Sequence, residues 1–149
     1  MASYTYTVGS TTSGHPTLSG STEPYVIKRT IDIATMITAL GATPAATDVI
    51  KVLNIPSGSM VLSAGVYVGT AVNATTMTVD LGYSGNVDVF TDGADLKTTG
   101  FAAYGTNGKA IANTARFTSA STLDLTVATL TGTLTSGSIT VYALVVDIA

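Results

Sequence analysis

The chain has 149 residues and a formal net charge of −3. Charged residues make up only 10% of it, against about 25% in an average globular protein. The length suits one domain with a buried core, and a hydrophobic content of 46% is too high for a disordered tail. Six Lys and Arg residues are too few for the basic patch of a nucleic-acid-binding protein. The absence of Cys excludes disulfides and a Cys nucleophile.

Residues 1–24 are rich in Thr, Ser, Gly and Pro and contain almost no aliphatic side chains. They lack the basic and apolar regions of a secretion signal. No apolar run in the chain approaches the roughly 18 residues of a membrane span, so we expect a soluble protein without a membrane partner. Tyr4, Tyr6 and Val8 alternate, which allows a short strand if a partner supplies a sheet edge. The segment is thus either a floppy terminus or an extended arm that orders on a neighbouring subunit.

The next part of the chain predicts two strands separated by a short helix. Residues 25–33 are rich in β-branched side chains and alternate in their second half. Residues 34–40 carry apolar side chains at helical spacing, and Gly41 is the expected stop. Residues 48–55 form the second predicted strand, which ends at Pro56.

The middle of the chain predicts two more strands followed by a loop-rich region. Residues 59–68 predict a strand, with Gly65 as a β-bulge. Residues 75–83 alternate strictly between apolar and polar side chains. Residues 86–108 are rich in Gly and Asp and predict loops, with a tight turn at Asn107-Gly108.

The C-terminal part predicts three strands, at residues 110–118, 121–128 and 138–148. The last is apolar at nearly every position, so we expect it to be central in its sheet. Short strands separated by turns, without a βαβ pattern, predict an all-β antiparallel sandwich or jelly roll of about seven to eight strands. The predicted division is an extended N-terminal arm, residues 1–24, and a β-sandwich domain, residues 25–149.

Catalytic and metal-binding groups are sparse in this sequence. The lone histidine, His15, lies in the N-terminal arm, where nothing holds it beside a nucleophile. Asp88, Asp92 and Asp95 could offer oxygen ligands to Ca²⁺, but they also fit turn and cap positions, with Asp95 capping a turn at residues 96–99. We therefore predict no enzyme activity, no cofactor and no metal site.

Three stretches resemble segments of the capsid cement, or decoration, proteins of tailed bacteriophages. They are VIKVLNIPSGSMV at residues 49–61, AGVYV at residues 64–68 and VDVFTDGADLKTTG at residues 87–100. The Thr/Gly/Ala-rich composition, the lack of Cys and the extended arm are also similar to that family. The resemblance implies a jelly-roll virion protein without a catalytic motif.

The resemblance also implies a mechanism and partners. Such proteins assemble on the outside of a mature capsid, often as homotrimers, and bridge neighbouring subunits of the major capsid protein. The implied location is the exterior of the virion, after synthesis in the host cytoplasm. Aromatic residues are enriched at protein interfaces, and our candidate partner-binding residues are Tyr4, Tyr6, Tyr25, Phe90 and Phe101.

Two alternatives remain open from the sequence. The first is another phage structural component, such as a head fibre base, a tail part or a small jelly-roll capsid protein. The second is a carbohydrate-binding surface module that stacks sugars on exposed Tyr side chains. Fold alone does not decide among these functions.

Overall fold

A computed structural model describes residues 1–5, 23–101 and 116–148 of the chain. These residues form ten strands and one short helix. In chain order the elements are β1 (Ser3–Thr5), β2 (Tyr25–Asp32), α1 (Ile33–Leu40), β3 (Val49–Ile55), β4 (Ser59–Thr70), β5 (Thr76–Tyr83), β6 (Asn86–Asp95), β7 (Gly100–Phe101), β8 (Arg116–Phe117), β9 (Ser121–Thr131) and β10 (Ser138–Asp147).

The strands of the described residues form two sheets. Sheet A has the order β1-β3-β9-β5-β6, and sheet B has the order β2-β10-β4-β7, with β8 also paired to β4. All pairs are antiparallel except β1 with β3, which is parallel. The predicted all-β sandwich or jelly roll is therefore confirmed. The last strand is central as predicted, because β10 lies between β2 and β4.

The core lies between the two sheets. It consists of the side chains that point inward at alternate positions along the strands. In sheet A, β9 contributes Leu123, Leu125 and Val127, and in sheet B, β10 contributes Ile139 and Val141 among others. Each is almost completely buried. Burying one such aliphatic side chain contributes about 1.5–3 kcal/mol relative to leaving it exposed. Hydrophobic burial therefore stabilises the sandwich without disulfides, since the chain has no Cys.

The helix α1 begins and ends at capping residues that the sequence supplies. The carboxylate of Asp32 accepts a hydrogen bond from the Thr35 amide at 2.8 Å, which satisfies a free donor of the first turn. Gly41 follows the helix with φ 70° and donates its amide to the Ile37 carbonyl at 3.0 Å, as a left-handed glycine does at a helix end. The predicted helix and its stop are confirmed, and the helix buries Ile33 and Met36.

The predicted bulge at Gly65 is wrong. Gly65 pairs in register with Tyr142, and the irregularities in the ladder leave out Leu62 and Gly69 instead. A Cβ atom on Gly65 would lie 2.6 Å from the Tyr142 hydroxyl. The glycine is therefore needed for the close approach of an aromatic ring, not for an extra residue in the strand.

The loop-rich prediction for residues 86–108 is wrong for residues 86–95, which form β6 against β5. Three successive residues of β6, Val89, Phe90 and Thr91, are buried, so the strand lacks the alternation that makes strands recognisable. The ladder to β5 also contains two register shifts. The later part of that region, including Asn107-Gly108, lies outside the described residues.

The first five residues belong to the sandwich in this structure. The sequence allowed a short strand if a partner supplied an edge, and β3 of the same chain supplies it. The Val49 amide donates to the Ala2 carbonyl at 2.9 Å, and the Ala2 amide donates to Asp48 at 2.9 Å. His15 and most of the predicted strand at residues 110–118 lie outside the described residues, and the arm–domain boundary at 24/25 stays a prediction.

Candidate functional site: an exposed aromatic face

The outward face of sheet B carries a cluster of three aromatic rings. Tyr67 lies on β4, Phe101 on β7 and Tyr142 on β10. The Tyr67 and Phe101 rings meet edge to face with centroids 5.1 Å apart, and the Phe101 and Tyr142 rings do so at 6.1 Å. Such edge-to-face pairs are favourable beyond the area that they bury. Phe101 is nevertheless 72% exposed and Tyr67 40% exposed, so the cluster lies on the surface.

The strand register explains why these rings meet. Tyr67 is directly opposite Phe101 in the β4–β7 ladder, and directly opposite partners share a face of the sheet. Tyr142 is opposite Gly65, and the missing side chain there leaves room for its ring. The cluster therefore depends on the register that places Tyr67 opposite Phe101 and on the glycine opposite Tyr142.

Aliphatic side chains extend this surface across β10 to β2. Leu144 is opposite Val26 in one ladder and Ser63 in the other, and Val26 is 53% exposed. We name this surface the aromatic face and define it by Tyr67, Phe101, Tyr142, Val26 and Leu144. A contiguous exposed apolar surface is typical of a protein–protein or ligand interface.

Among the described residues, few charges interrupt the aromatic face. Lys28 is opposite Tyr142 in the β2–β10 ladder. Asp32 is opposite Ser138 at one end of that ladder, and Arg116 is opposite Met60 at the far end of β4. Among the charged groups of the described residues, a partner that covers the middle of this face would therefore desolvate only the Lys28 ammonium. The long Lys28 side chain can keep that group at the rim of the contact.

The structure separates the five residues predicted to bind a partner. Phe101 lies on the aromatic face. Tyr4 is half-buried in β1 opposite Ile50, and Tyr25 lies at the edge of the core, where its hydroxyl bonds Asp147 at 3.2 Å. Phe90 is only 7% exposed and belongs to the core, so its ring is not part of the surface. Tyr6 lies outside the described residues. Partner binding by any of them stays a prediction.

The sequence did not identify four residues of the aromatic face: Tyr67, Tyr142, Val26 and Leu144. The signal was present, because the last strand is apolar on both faces. That pattern predicts a central strand, but it does not show that the outward row is exposed. In the structure the inward positions of β10 are buried and the outward ones are half-buried, so the second apolar row covers no core and lies at the surface.

The three acidic residues that could offer oxygen ligands to Ca²⁺ lie along one strand. Asp88, Asp92 and Asp95 all belong to β6. Asp95 caps the following turn, where its carboxylate accepts the Lys97 amide at 2.9 Å and the Thr98 hydroxyl at 3.2 Å. The predicted cap is confirmed. Within residues 1–5, 23–101 and 116–148, no group of three or more His, Cys, Asp or Glu side chains could hold a metal ion.

Two buried carboxylates, Asp48 just before β3 and Asp124 on β9, have opposite environments. Asp48 accepts the amides of Ala45 and Ala2, each at 2.9 Å, and these hydrogen bonds lower its pKa. Asp124 is 5% exposed, and one of its oxygens has no hydrogen-bond partner among the described residues. Burial raises the pKa of Asp124, opposed by a hydrogen bond from Thr122 and the charge of Lys51.

No helix among the described residues is long and apolar enough to cross a membrane. No protein-family model matches the sequence, and no curated protein matches it either.

Two solved structures contain chains of similar fold. One is a chain of the cyanophage Pam1 capsid asymmetric unit, with a TM-score of 0.63 and 18% identity over 89% of this chain and 91% of that chain. The other is a chain of the capsid of Ralstonia phage GP4, with a TM-score of 0.53 and 23% identity over 89% of this chain and 88% of that chain. At these identities the similarity establishes a shared fold.

Proposed function

We propose that this chain is a non-enzymatic structural protein of a phage virion. In this proposal it is a cement, or decoration, protein that binds the outside of the capsid as a homotrimer and bridges neighbouring subunits of the major capsid protein. The observation that carries the proposal is the superposition on chains from two phage capsids. Each superposition covers about nine-tenths of both chains, so the shared unit is a whole small chain and not one domain of a large one.

The aromatic face supports this proposal because it is suited to contact with another protein. Aromatic residues carry much of the binding energy at interfaces, and Phe101 and Tyr67 are already held by their neighbours. Because these two rings are already ordered, burying them against a partner costs less side-chain entropy than ordering side chains that rotate freely. Each contact can be weak, because a trimer that engages several sites of a shell gains affinity from effective concentration.

The homotrimer and the exterior location rest on the sequence resemblance to cement proteins. A low content of charge supports them, since closely packed subunits avoid the desolvation of unpaired charges. The expected solution species has three times the 15.0 kDa mass of the chain. Light scattering after size exclusion tests this part independently of capsid binding.

The decisive experiment is reconstitution. Purified full chain is added to expanded heads that lack it, from the phage that encodes it, and binding is measured by co-sedimentation over a concentration series. We expect saturable binding at a fixed number of copies per head, with added density on the outer surface by electron microscopy. Bound heads should also resist heat or chelator better than bare heads. Absence of saturable binding to the outer surface would overturn the cement function.

A carbohydrate-binding surface module is the second candidate, and the aromatic face is the observation that favours it. Exposed Tyr and Phe rings can pack against the apolar face of a sugar. A glycan array with the full chain, at concentrations where head binding is tested, distinguishes the two functions. A glycan signal that disappears when Tyr67 is replaced by Ser, together with no head binding, would favour this candidate.

A further inference from the structure

An open groove crosses one end of the sandwich, from β2 of sheet B to the turn between β5 and β6 of sheet A. Its volume of about 610 Å³ lies within the range of roughly 300–1,000 Å³ that is typical of small-molecule sites. Ten of the described residues line it, and half of them are polar. We name it the end groove.

The apolar part of the end groove comes from β2, the end of β3 and the residue before β9. Its residues are Tyr25, Ile27, Ile55, Pro56 and Ala120. Tyr25 and Ile27 are half-buried and alternate along β2 with the exposed Val26. Because successive side chains of a strand point to opposite faces, Tyr25 and Ile27 lie on the other side of sheet B from Val26. The end groove is therefore separate from the aromatic face.

The polar part of the end groove comes from sheet A. Its residues are Lys51, Asn54, Ser84, Ser121 and Thr122. In the β3–β9 ladder Asn54 is directly opposite Thr122, and directly opposite residues share a face of the sheet. The amide of Asn54 and the three hydroxyl groups can each donate and accept hydrogen bonds. Four neutral side chains of this part can therefore bond the hydroxyl groups of a ligand.

The charges around the end groove favour a neutral ligand. Lys51 carries the only ionic group among the described residues that line it. Asp124, which is 5% exposed, lies directly opposite Lys51 in the β3–β9 ladder. Burial raises the pKa of Asp124, and the charge of Lys51 opposes this effect. The ammonium group thus already compensates a buried carboxylate, so an anionic ligand would compete with Asp124 for it and a cationic ligand would be repelled.

Hydrogen bonds hold the tyrosine of the end groove in place. The hydroxyl of Ser59, which is fully buried, donates to Asp147 at 3.1 Å, and the Tyr25 hydroxyl donates to the same carboxylate oxygen at 3.2 Å. Burial and the charge of Asp147 raise the pKa of Tyr25, which keeps its hydroxyl a donor. A ligand that packs on an already ordered ring pays less side-chain entropy.

We propose that the end groove binds a neutral oligosaccharide. A sugar has no charge, carries many hydroxyl groups and presents an apolar ring face, and the end groove provides a complement to each of these properties. One sugar ring packs on Tyr25, and its hydroxyl groups bond Asn54, Ser84 and Thr122. This inference goes beyond the cement function, and its site differs from the aromatic face of the second candidate function.

Nuclear magnetic resonance titration of the full chain tests the proposal. The probes are four neutral sugars (maltotriose, cellotriose, chitotriose and lactose) and sialyllactose, the acidic counterpart of lactose. We expect at least one neutral sugar to cause saturable shifts of the backbone amide signals of Lys51, Asn54, Ser84 and Thr122. Absence of such shifts with all four neutral sugars would overturn the proposal. Tighter binding of sialyllactose than of lactose would contradict the neutral ligand.

Variants of the polar part show whether these side chains bind the sugar. Asn54→Ala/Ser84→Ala should weaken binding by about tenfold or more, because it removes two hydrogen-bonding groups. Both residues are exposed, so the melting temperature should change little. The matched control Thr78→Ala/Thr129→Ala removes two hydroxyl groups elsewhere on sheet A and should leave binding unchanged. Equal affinities of the two double variants would overturn the proposal.

A matched pair at Tyr25 tests the ring. Tyr25→Leu and Tyr25→Phe both lose the hydrogen bond to Asp147, but only the first loses the aromatic ring. We expect Tyr25→Leu to bind the sugar several-fold more weakly than Tyr25→Phe. Equal affinities would contradict packing on the ring, and shifts confined to the surroundings of Tyr67 and Phe101 would assign the sugar to the aromatic face instead.

Head binding by the same variants keeps this inference distinct from the cement function. Asn54→Ala/Ser84→Ala should bind heads as the unmodified chain does. Loss of head binding in this variant, together with no sugar-induced shift in the unmodified chain, would identify the end groove as a protein contact and overturn the proposal. Sugar binding in the groove without any head binding would overturn only the cement function.

Discussion

The outward faces of the two sheets differ although both sheets share one core. In sheet A the outward residues of β5 and β9 are polar: Thr78, Asp80, Thr126 and Thr129. In sheet B the corresponding positions carry the aromatic face. Alternation identifies the inward row on β5 of sheet A and on β10 of sheet B. The difference indicates that sheet A faces water, whereas sheet B presents a surface suited to a partner.

Substitutions in the shared core should have the largest effect, and equally in both sheets. Leu125→Ala in sheet A and Ile139→Ala in sheet B should each lower the free energy of unfolding by about 3 kcal/mol, because each leaves a cavity in a close-packed interior. Both side chains are almost fully buried. Urea denaturation measures the loss, with Leu144→Ala on the aromatic face as the control. If Leu144→Ala costs as much as Ile139→Ala, the two faces of β10 are not distinct.

The next largest effect concerns the contrast between the outward faces. Phe101→Ser/Tyr67→Ser should weaken binding to heads by at least about 30-fold, which corresponds to the roughly 2 kcal/mol of a hot spot. Its melting temperature should change little, since both side chains are exposed. The matched variant Thr78→Ala/Thr129→Ala on sheet A should bind within about twofold of the unmodified chain. Equal losses in the two variants would remove the distinction between the faces.

The two buried carboxylates, Asp48 and Asp124, should respond to pH in opposite directions. The lowered pKa of Asp48 means that its ionised form stabilises the fold above the unfolded pKa near 3.8, and that this contribution is lost as pH falls through the folded pKa. Asp48→Asn should therefore lower the melting temperature at pH 7, and the gap should narrow towards pH 3.

The raised pKa of Asp124 has the reverse consequence. The folded state binds the proton more tightly, so stability falls as pH rises from about 3.8 through the folded pKa. Asp124→Asn should remove this fall in stability. The melting temperature of the variant, relative to that of the unmodified chain, should therefore be higher at pH 7 than at pH 3. Thermal melts of the three proteins across this pH range measure both effects. Parallel pH profiles for the two variants would contradict the assigned environments.

The smallest expected effect comes from two glycines of β4. Gly65→Ala should displace the Tyr142 ring, whose hydroxyl lies 2.6 Å from the position of the new methyl group. Gly69→Ala meets nothing closer than 3.6 Å and should stabilise the chain by about 0.4–1 kcal/mol through the unfolded state. Gly65→Ala should lack this gain and alter the near-ultraviolet circular dichroism of tyrosine. An unchanged tyrosine signal would show that the ring does not depend on Gly65.

Local sequence patterns predicted the parts of the molecule that depend on neighbouring residues. The alternation of Met77, Val79 and Leu81 identified β5 and its buried row, which the structure confirms. Apolar spacing and Gly41 identified α1 and its end. Strand and helix periods are short-range properties, so residues a few positions apart carry this information.

The errors fall where the partner strand decides the outcome. β6 has three consecutive buried residues because its ladder to β5 contains register shifts. The sequence predicts a bulge at Gly65, and the prediction fails because the residue that requires this glycine, Tyr142, is 77 positions away in the sequence. Tertiary packing also separates two candidate partner-binding residues, since Phe90 lies in the core and Phe101 is exposed. Partner binding by either residue stays a prediction.

The sequence by itself therefore determined an all-β chain with a charge-poor surface, a short capped helix and a central last strand. Composition and local periodicity are sufficient for these properties. Tertiary structure alone decided that Tyr67, Phe101 and Tyr142 share one exposed face and that β1 pairs with β3 of its own chain. These features depend on the register between distant strands, which a one-residue shift would reverse.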